Sequence, residues 1–125
     1  MSIEIEVDPR QLRRTLEVIA GERSPFSSLR HFTAVESFIE RELGSYGLKV
    51  ESDYFSYRGK TFRNLIGRQG DHRGGSLIIL GAHFDSVQGT PGADDNASGV
   101  AVLLQAARLL ARARAASQVL FCAFN

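Results

Sequence analysis

Residues 76–110 read SLIILGAHFDSVQGTPGADDNASGVAVLLQAARLL, and this stretch decides the fold. Leu77, Ile78, Ile79 and Leu80 form an unbroken apolar run, the pattern of a strand covered on both faces, as in sheets with helices packed on either side. Gly81 and Ala82 then bring the backbone to the sheet edge without bulk. His83 and Asp85 follow two residues apart, so in continued strand geometry their side chains point to the same side. Gly89, Pro91 and Gly92 mark a loop, which their turn-forming character requires. It ends in Asp94, Asp95 and Asn96, after which Val100, Leu103, Leu104, Ala107 and Leu110 or Ala111 recur at spacings of three and four. That is the pattern of a helix with one apolar stripe. The acidic pair is therefore expected at a helix N-terminus, where free N–H groups and the helix dipole stabilise ionised carboxylates.

Taken singly, these features have plain explanations. Asp, Asn and Ser before a helix are ordinary capping residues, and a histidine at a strand end is more often polar surface than a ligand. Their combination points elsewhere. An H-x-D at the carboxyl end of a buried strand, followed within one loop by a paired acid, gathers several candidate metal donors at the edge where open α/β sheets bind ligands.

The segments GAHFDS and GADDNASGVAVLLQAARLL resemble the signature of the co-catalytic dizinc aminopeptidases, the family of bacterial leucyl aminopeptidase, Streptomyces-type aminopeptidase and aminopeptidase Y. The resemblance implies a zinc ligand at His83, an orienting and catalytic carboxylate at Asp85, and a carboxylate bridging two zinc ions at Asp95. Asp94 and Asn96 would stand beside these ligands without binding metal. A cis peptide between Asp95 and Asn96 is implied as well. The chemistry is amide hydrolysis of a peptide substrate, in which paired zinc ions about 3.5–4 Å apart polarise the carbonyl and acidify a shared water, and a general base takes the proton.

In the family pattern the next strand runs aromatic-x-Ala-aromatic toward a pair of glutamates, the base and a further zinc ligand. Phe121, Ala123 and Phe124 fit that pattern, and the glutamates are expected just beyond Asn125. The resemblance covers nearly all of this chain but about the first half of a family catalytic domain. Residues 1–125 are therefore expected to be the N-terminal part of a single zinc-peptidase catalytic domain, inactive without its base and remaining ligands. Two alternatives differ in class: a glutaminyl-cyclase-like acyltransferase of the same fold holding one zinc, and a non-catalytic folding or interaction unit. His and carboxylate donors suit several divalent ions besides zinc.

The rest of the chain is consistent with one α/β unit. Its 125 residues, 43% hydrophobic, suffice for a core that buries roughly two thirds of the unfolded surface. Fifteen basic and fourteen acidic residues are scattered, which argues against nucleic acid or an anionic membrane as partner. The single Cys122 lies in an apolar run and reads as a small hydrophobe. MSIEIEVDPRQL at the N-terminus is acidic and lacks the apolar core of a secretory leader, and no segment is long enough to span a membrane. The expected location is cytoplasmic.

Asp8 and Pro9 predict a helix start, with Leu12, Leu16 and Ile19 as its stripe. Residues 21–28 read as a loop whose GERSP resembles the segment between the first two helices of the family. A second helix is expected from His31 to Tyr46, burying Val35, Phe38, Ile39 and Leu43 and stopped by Gly47, with His31 exposed near its start. Leu48–Tyr57 and Thr61–Arg68 predict a β-hairpin, followed by a tight connection over residues 71–75 in which His72 is discounted as a ligand. A last strand is expected over Gln118–Phe124. The architecture is then a three-layer α/β/α stack around a twisted mixed sheet, with the hairpin at one edge and the helix between the apolar strands making a right-handed crossover. The final strand, lacking neighbours, is expected to leave an apolar edge that invites self-association.

Overall fold

Asp8 caps the first helix with its side chain, accepting the N–H of Arg10 at 2.9 Å, and Pro9 takes the first helical position. The structure, a computed structural model, describes residues 5–70, 75–113 and 117–125. Helix α1 spans Pro9–Ile19, α2 Leu29–Ser45 and α3 Gly99–Leu110, and the strands are β1 Lys49–Tyr57, β2 Lys60–Gln69, β3 Leu77–His83 and β4 Gln118–Phe124. A single π-type turn, Ala93–Ser98, precedes α3. The hairpin turn has two residues, Arg58 and Gly59, both at positive φ, as a turn matched to strand twist requires. Lys60 therefore opens β2 rather than belonging to the turn.

The four strands form one mixed sheet in the order β1-β2-β4-β3. β1 pairs antiparallel with β2, β2 antiparallel with β4, and β4 parallel with β3. The α/β class with a twisted mixed sheet and a hairpin edge is as the sequence leads one to expect. The strand at the open edge is different. β4 lies inside the sheet, and β3 is the edge, with Leu77, Ile78 and Ile79 about half exposed at 49%, 46% and 56%. An apolar run reports how well a residue tolerates burial, and both faces of β3 are apolar. Only one is covered here.

Register shows which one. Ile78, Leu80 and Ala82 stand beside Val119, Phe121 and Ala123, and side chains two apart share a face. On that face Leu65, Val119, Phe121 and Ala123 join Ile19 of α1, Phe32, Val35, Ile39 and Leu43 of α2, and Val100, Leu103, Leu104 and Ala107 of α3 in one core. All three helices contribute to it. Leu77, Ile79, His83, Leu120, Cys122 and Phe124 belong to the opposite face by the same alternation, and no helix covers that face among the described residues. The second helical layer of the expected three-layer stack is thus not found within them. Cys122 is nonetheless buried, and burial raises its thiol pKa.

On the helix-facing side, Arg63 of β2 reaches up to α2. Its guanidinium bonds both carboxylate oxygens of Glu40, at 2.7 and 3.2 Å, and pairs with Glu36 at 3.1 Å. These bonds hold the Glu40 carboxyl below its usual 4.5 and raise the pKa of Arg63. Because the unfolded chain takes up the proton at higher pH than the folded one, this pair stabilises fully above about pH 4.5, and the contribution is lost as pH falls through the lowered value. Glu40 is half exposed, so the effect is at most about 1 kcal/mol. Urea unfolding between pH 7 and pH 3 should show a shallower loss of stability for Glu40→Gln than for the parent chain; identical pH profiles would contradict this assignment.

Candidate metal centre

The backbone leaves β3 under firm control. The N–H of Phe84 donates to the carbonyl of Phe124 at 2.8 Å, and the Phe84 ring, fully buried, stacks on Phe32 with centroids 5.4 Å apart. Strand alternation then turns the two flanking residues, His83 and Asp85, away from the core. They meet at the open end: Nδ1 of His83 lies 3.1 Å from Oδ1 of Asp85. On the other side of the ring, Nε2 lies 3.0 Å from Oδ1 of Asp95. His83 and Asp85 are each about half exposed and Asp95 more so.

This imidazole therefore has a carboxylate oxygen at each nitrogen. A neutral ring carries one N–H and one lone pair, so one of the two contacts sets a lone pair against an anionic oxygen. A second proton or a cation at that position relieves the conflict. The donors suit a metal ion. Ligand bonds of about 2.0–2.2 Å at a tetrahedral angle place two donors roughly 3.3–3.6 Å apart, so His83 Nε2 and Asp95 Oδ1, 3.0 Å apart, need to separate by only about half an ångström to share an ion. Asp85 on the remaining nitrogen completes the carboxylate–histidine arrangement that fixes the tautomer of a metal-bound ring. Among the described residues, no cluster of three or more His, Cys, Asp or Glu side chains is assembled to hold an ion.

The acidic pair sits elsewhere than at a helix N-terminus. Asp94, Asp95 and Asn96 lie inside the π-type turn, where Asp95 and Asn96 leave helical geometry (φ −102°, ψ 92° and φ −134°, ψ 35°). The α-helix proper starts three residues later at Gly99, and no side chain caps either segment. The peptide between Asp95 and Asn96 is cis, as the family resemblance implies. Asp94 is exposed, and the hydroxyl of Ser98 donates to its carbonyl at 2.7 Å. Asn96 folds over Gly99, where a Cβ would collide with its side-chain amide. Of the other histidines, His31 is half-buried rather than exposed, its Nε2 3.0 Å from the carbonyl oxygen of Ile19, and His72 lies outside the described residues.

Arg23 escaped the sequence reading. It lies in the loop between α1 and α2 and is fully buried. Its Nε donates to Phe84 O at 2.7 Å, its Nη1 to Gly21 O, Pro91 O and Ile19 O at 2.7, 3.0 and 3.1 Å, and its Nη2 to Gly92 O at 2.9 Å. Burial lowers its pKa, while the charges of Asp85 and Asp95 raise it. Its backbone is fastened too: the N–H donates to Ser86 Oγ at 2.7 Å, and Ser86 N–H donates back to the Arg23 carbonyl at 3.1 Å. The one available signal was GERSP, since an arginine in a loop carries no mark of burial in its own identity.

Residues 64–125, the half that contains both β3 and the acidic turn, match the family model for peptidase family M28. They are a peptidase family M28 segment. This M28 segment includes His83, Asp85, Asp94 and Asp95, whereas Arg23 lies outside it. The chain is 37% identical over 112 residues to the Escherichia coli protein YfbL, covering 82% of this chain and 34% of that one. To aminopeptidase YwaD of Bacillus subtilis it is 34% identical over 72 residues, 56% of this chain and 16% of that one. Among solved structures, a glutaminyl cyclase of Macrostomum lignano superposes with a TM-score of 0.80 at 25% identity, over 94% of this chain and 38% of that one. A protein described as a zinc-dependent exopeptidase from Bacteroides vulgatus gives 0.73 at 28%, over 97% and 49%. The chain spans about a third of the length of YfbL and less than half of either structure.

Cobalt(II) or zinc titration of the native protein that carries this chain tests the donor set. His83→Ala and Asp95→Asn should each weaken binding at least tenfold, and Asp85→Asn about 10- to 100-fold, the usual cost of losing a carboxylate behind a ligating histidine. Unchanged affinity in both His83→Ala and Asp95→Asn would remove these residues from the site.

Proposed function

We propose that the chain supplies the first metal-binding part of a zinc-dependent aminopeptidase, which releases N-terminal residues from peptides. The observation that carries this reading is the His83 imidazole held between Asp85 and Asp95 at the exposed end of β3. Membership of residues 64–125 in a peptidase family and the likeness to an aminopeptidase support the reaction class. The likeness to a zinc-dependent exopeptidase structure supports the metal.

In this reading His83 would hold a zinc ion through Nε2, and Asp85 would accept the Nδ1–H and hold the ring in that tautomer. Asp95 would offer its carboxylate oxygens to the same metal site from the turn before α3. Lewis-acid polarisation of an amide carbonyl and acidification of a bound water are the chemistry gained on metal binding. Asp94 and Asn96 hold the turn that presents Asp95. The exposure of all three donor side chains leaves the sheet end open to a peptide terminus, and the remaining ligands and the general base come from outside these 125 residues. No helix among the described residues is long and apolar enough to cross a membrane.

A second reading, an acyl transfer enzyme with one zinc, is favoured by the superposition on a glutaminyl cyclase. Two measurements on the native protein separate them. The aminopeptidase should contain two zinc ions per chain and hydrolyse aminoacyl anilides, with Asp95→Asn lowering kcat/KM at least 1,000-fold. Residues 1–125 alone should give no turnover above a metal blank. One zinc per chain, with cyclisation of an N-terminal glutamine in place of anilide hydrolysis, would overturn the aminopeptidase in favour of the cyclase.

A further inference from the structure

We propose that Arg23 is a positioning residue of the candidate metal centre: through one guanidinium it sets the distance between His83 and Asp95. The proposal rests on the metal-site reading above. His83 and Asp95 approach from two separate segments, the end of β3 and the turn after Gly92. Arg23 holds both, bonding the carbonyl of Phe84, the residue after His83, through Nε and the carbonyl of Gly92, three residues before Asp95, through Nη2. These two donors are fixed in one rigid plane. The separation of the two carbonyls is thereby set by covalent geometry, and neighbouring contacts transmit it. From Gly92, the same carbonyl accepts the N–H of Ala97 at 3.1 Å, closing the turn that contains Asp95.

The packing leaves no slack in this link. Gly92 has φ of +54°, and a Cβ there would stand 2.7 Å from Arg23 Nη2, 2.7 Å from the Asp95 carbonyl and 2.8 Å from Ser86 Cβ. Guanidinium, acidic turn and Ser86 therefore press on one point. A second strap runs parallel, in which Gly21 N–H donates to the Pro91 carbonyl at 2.8 Å. Lysine at position 23 keeps a positive charge but loses the planar fork, so it cannot bond two divergent carbonyls at a fixed spacing.

The test is cobalt(II) binding to the native protein, read by affinity and by the d–d absorption band. Arg23→Lys, folded by circular dichroism, should bind cobalt at least tenfold more weakly and with an altered band. Leu43→Ala, which empties a core site against Gly67 and destabilises without touching either loop, should keep the parent affinity and band. A folded Arg23→Lys with parent affinity and band overturns the proposal, as does a Leu43→Ala variant that loses both equally. Should Arg23→Lys not fold, Ser86→Ala, which removes the acceptor of the Arg23 N–H together with a long 3.5 Å bond to the Thr90 carbonyl, decides. At least threefold weaker binding with the same band change supports the role, and no change overturns it. If His83→Ala binds cobalt like the parent, the metal-site reading falls and takes the proposal with it, an outcome distinct from failure of Arg23→Lys alone.

Discussion

A guanidinium sealed from solvent and surrounded by carbonyl oxygens is the contact on which the rest of this structure depends. Taking a charge out of water costs several kcal/mol, and among the described residues no carboxylate is bonded to Arg23 in return. Five carbonyls replace its water, each bond to a charged donor contributing about 1.5–3 kcal/mol. The acceptors belong to the end of α1, the loop after it, the exit of β3 and the segment before the acidic turn. One side chain thus joins the end of α1 and its own loop to the segment from Phe84 to Gly92, 61 to 69 residues further along the chain. Asp85 and Asp95 lie near enough for their charge to act on it, so the positive group beneath and the negative groups above belong to one electrostatic unit.

What this frame presents is an imidazole with an acceptor at either nitrogen. The β3 strand contributes by alternation: Phe84 inward against Phe32, its two neighbours outward. The acidic turn contributes by irregularity, since a continuous helix from Ala93 would carry Asp95 around its axis and not toward the sheet end. Regular structure aims one donor and broken structure aims the other. The arrangement explains why polar groups that look like helix caps make no capping bonds.

Local patterns were legible in the sequence where they depend on near neighbours. The stripe of Val100, Leu103, Leu104 and Ala107 is buried as its spacing requires, the proline and aspartate at the first helix act as written, and His83 and Asp85 share a side. Relationships between distant segments were not. The run Leu77–Leu80 shows a strand but not its place in the order, and β3 rather than β4 stands at the edge because β4 inserts beside β2. Asp94 and Asp95 look like the start of a helix because caps and metal-site carboxylates use the same residue types. His31 is tied to Ile19 O by a turn between helices that its own neighbourhood does not announce. Arg23 was hidden most completely, since its partners are backbone carbonyls, and these leave no trace in side-chain identity.

The central claim is that His83 and Asp95 face each other because an ion belongs between them. Zinc-edge anomalous diffraction from crystals of the native protein grown with zinc tests it most directly. The account predicts an anomalous peak within bonding distance of both His83 Nε2 and an Asp95 oxygen, with Asp85 still on Nδ1. A map with zinc absent from this position, or bound only elsewhere while the two side chains remain in direct contact, would contradict it.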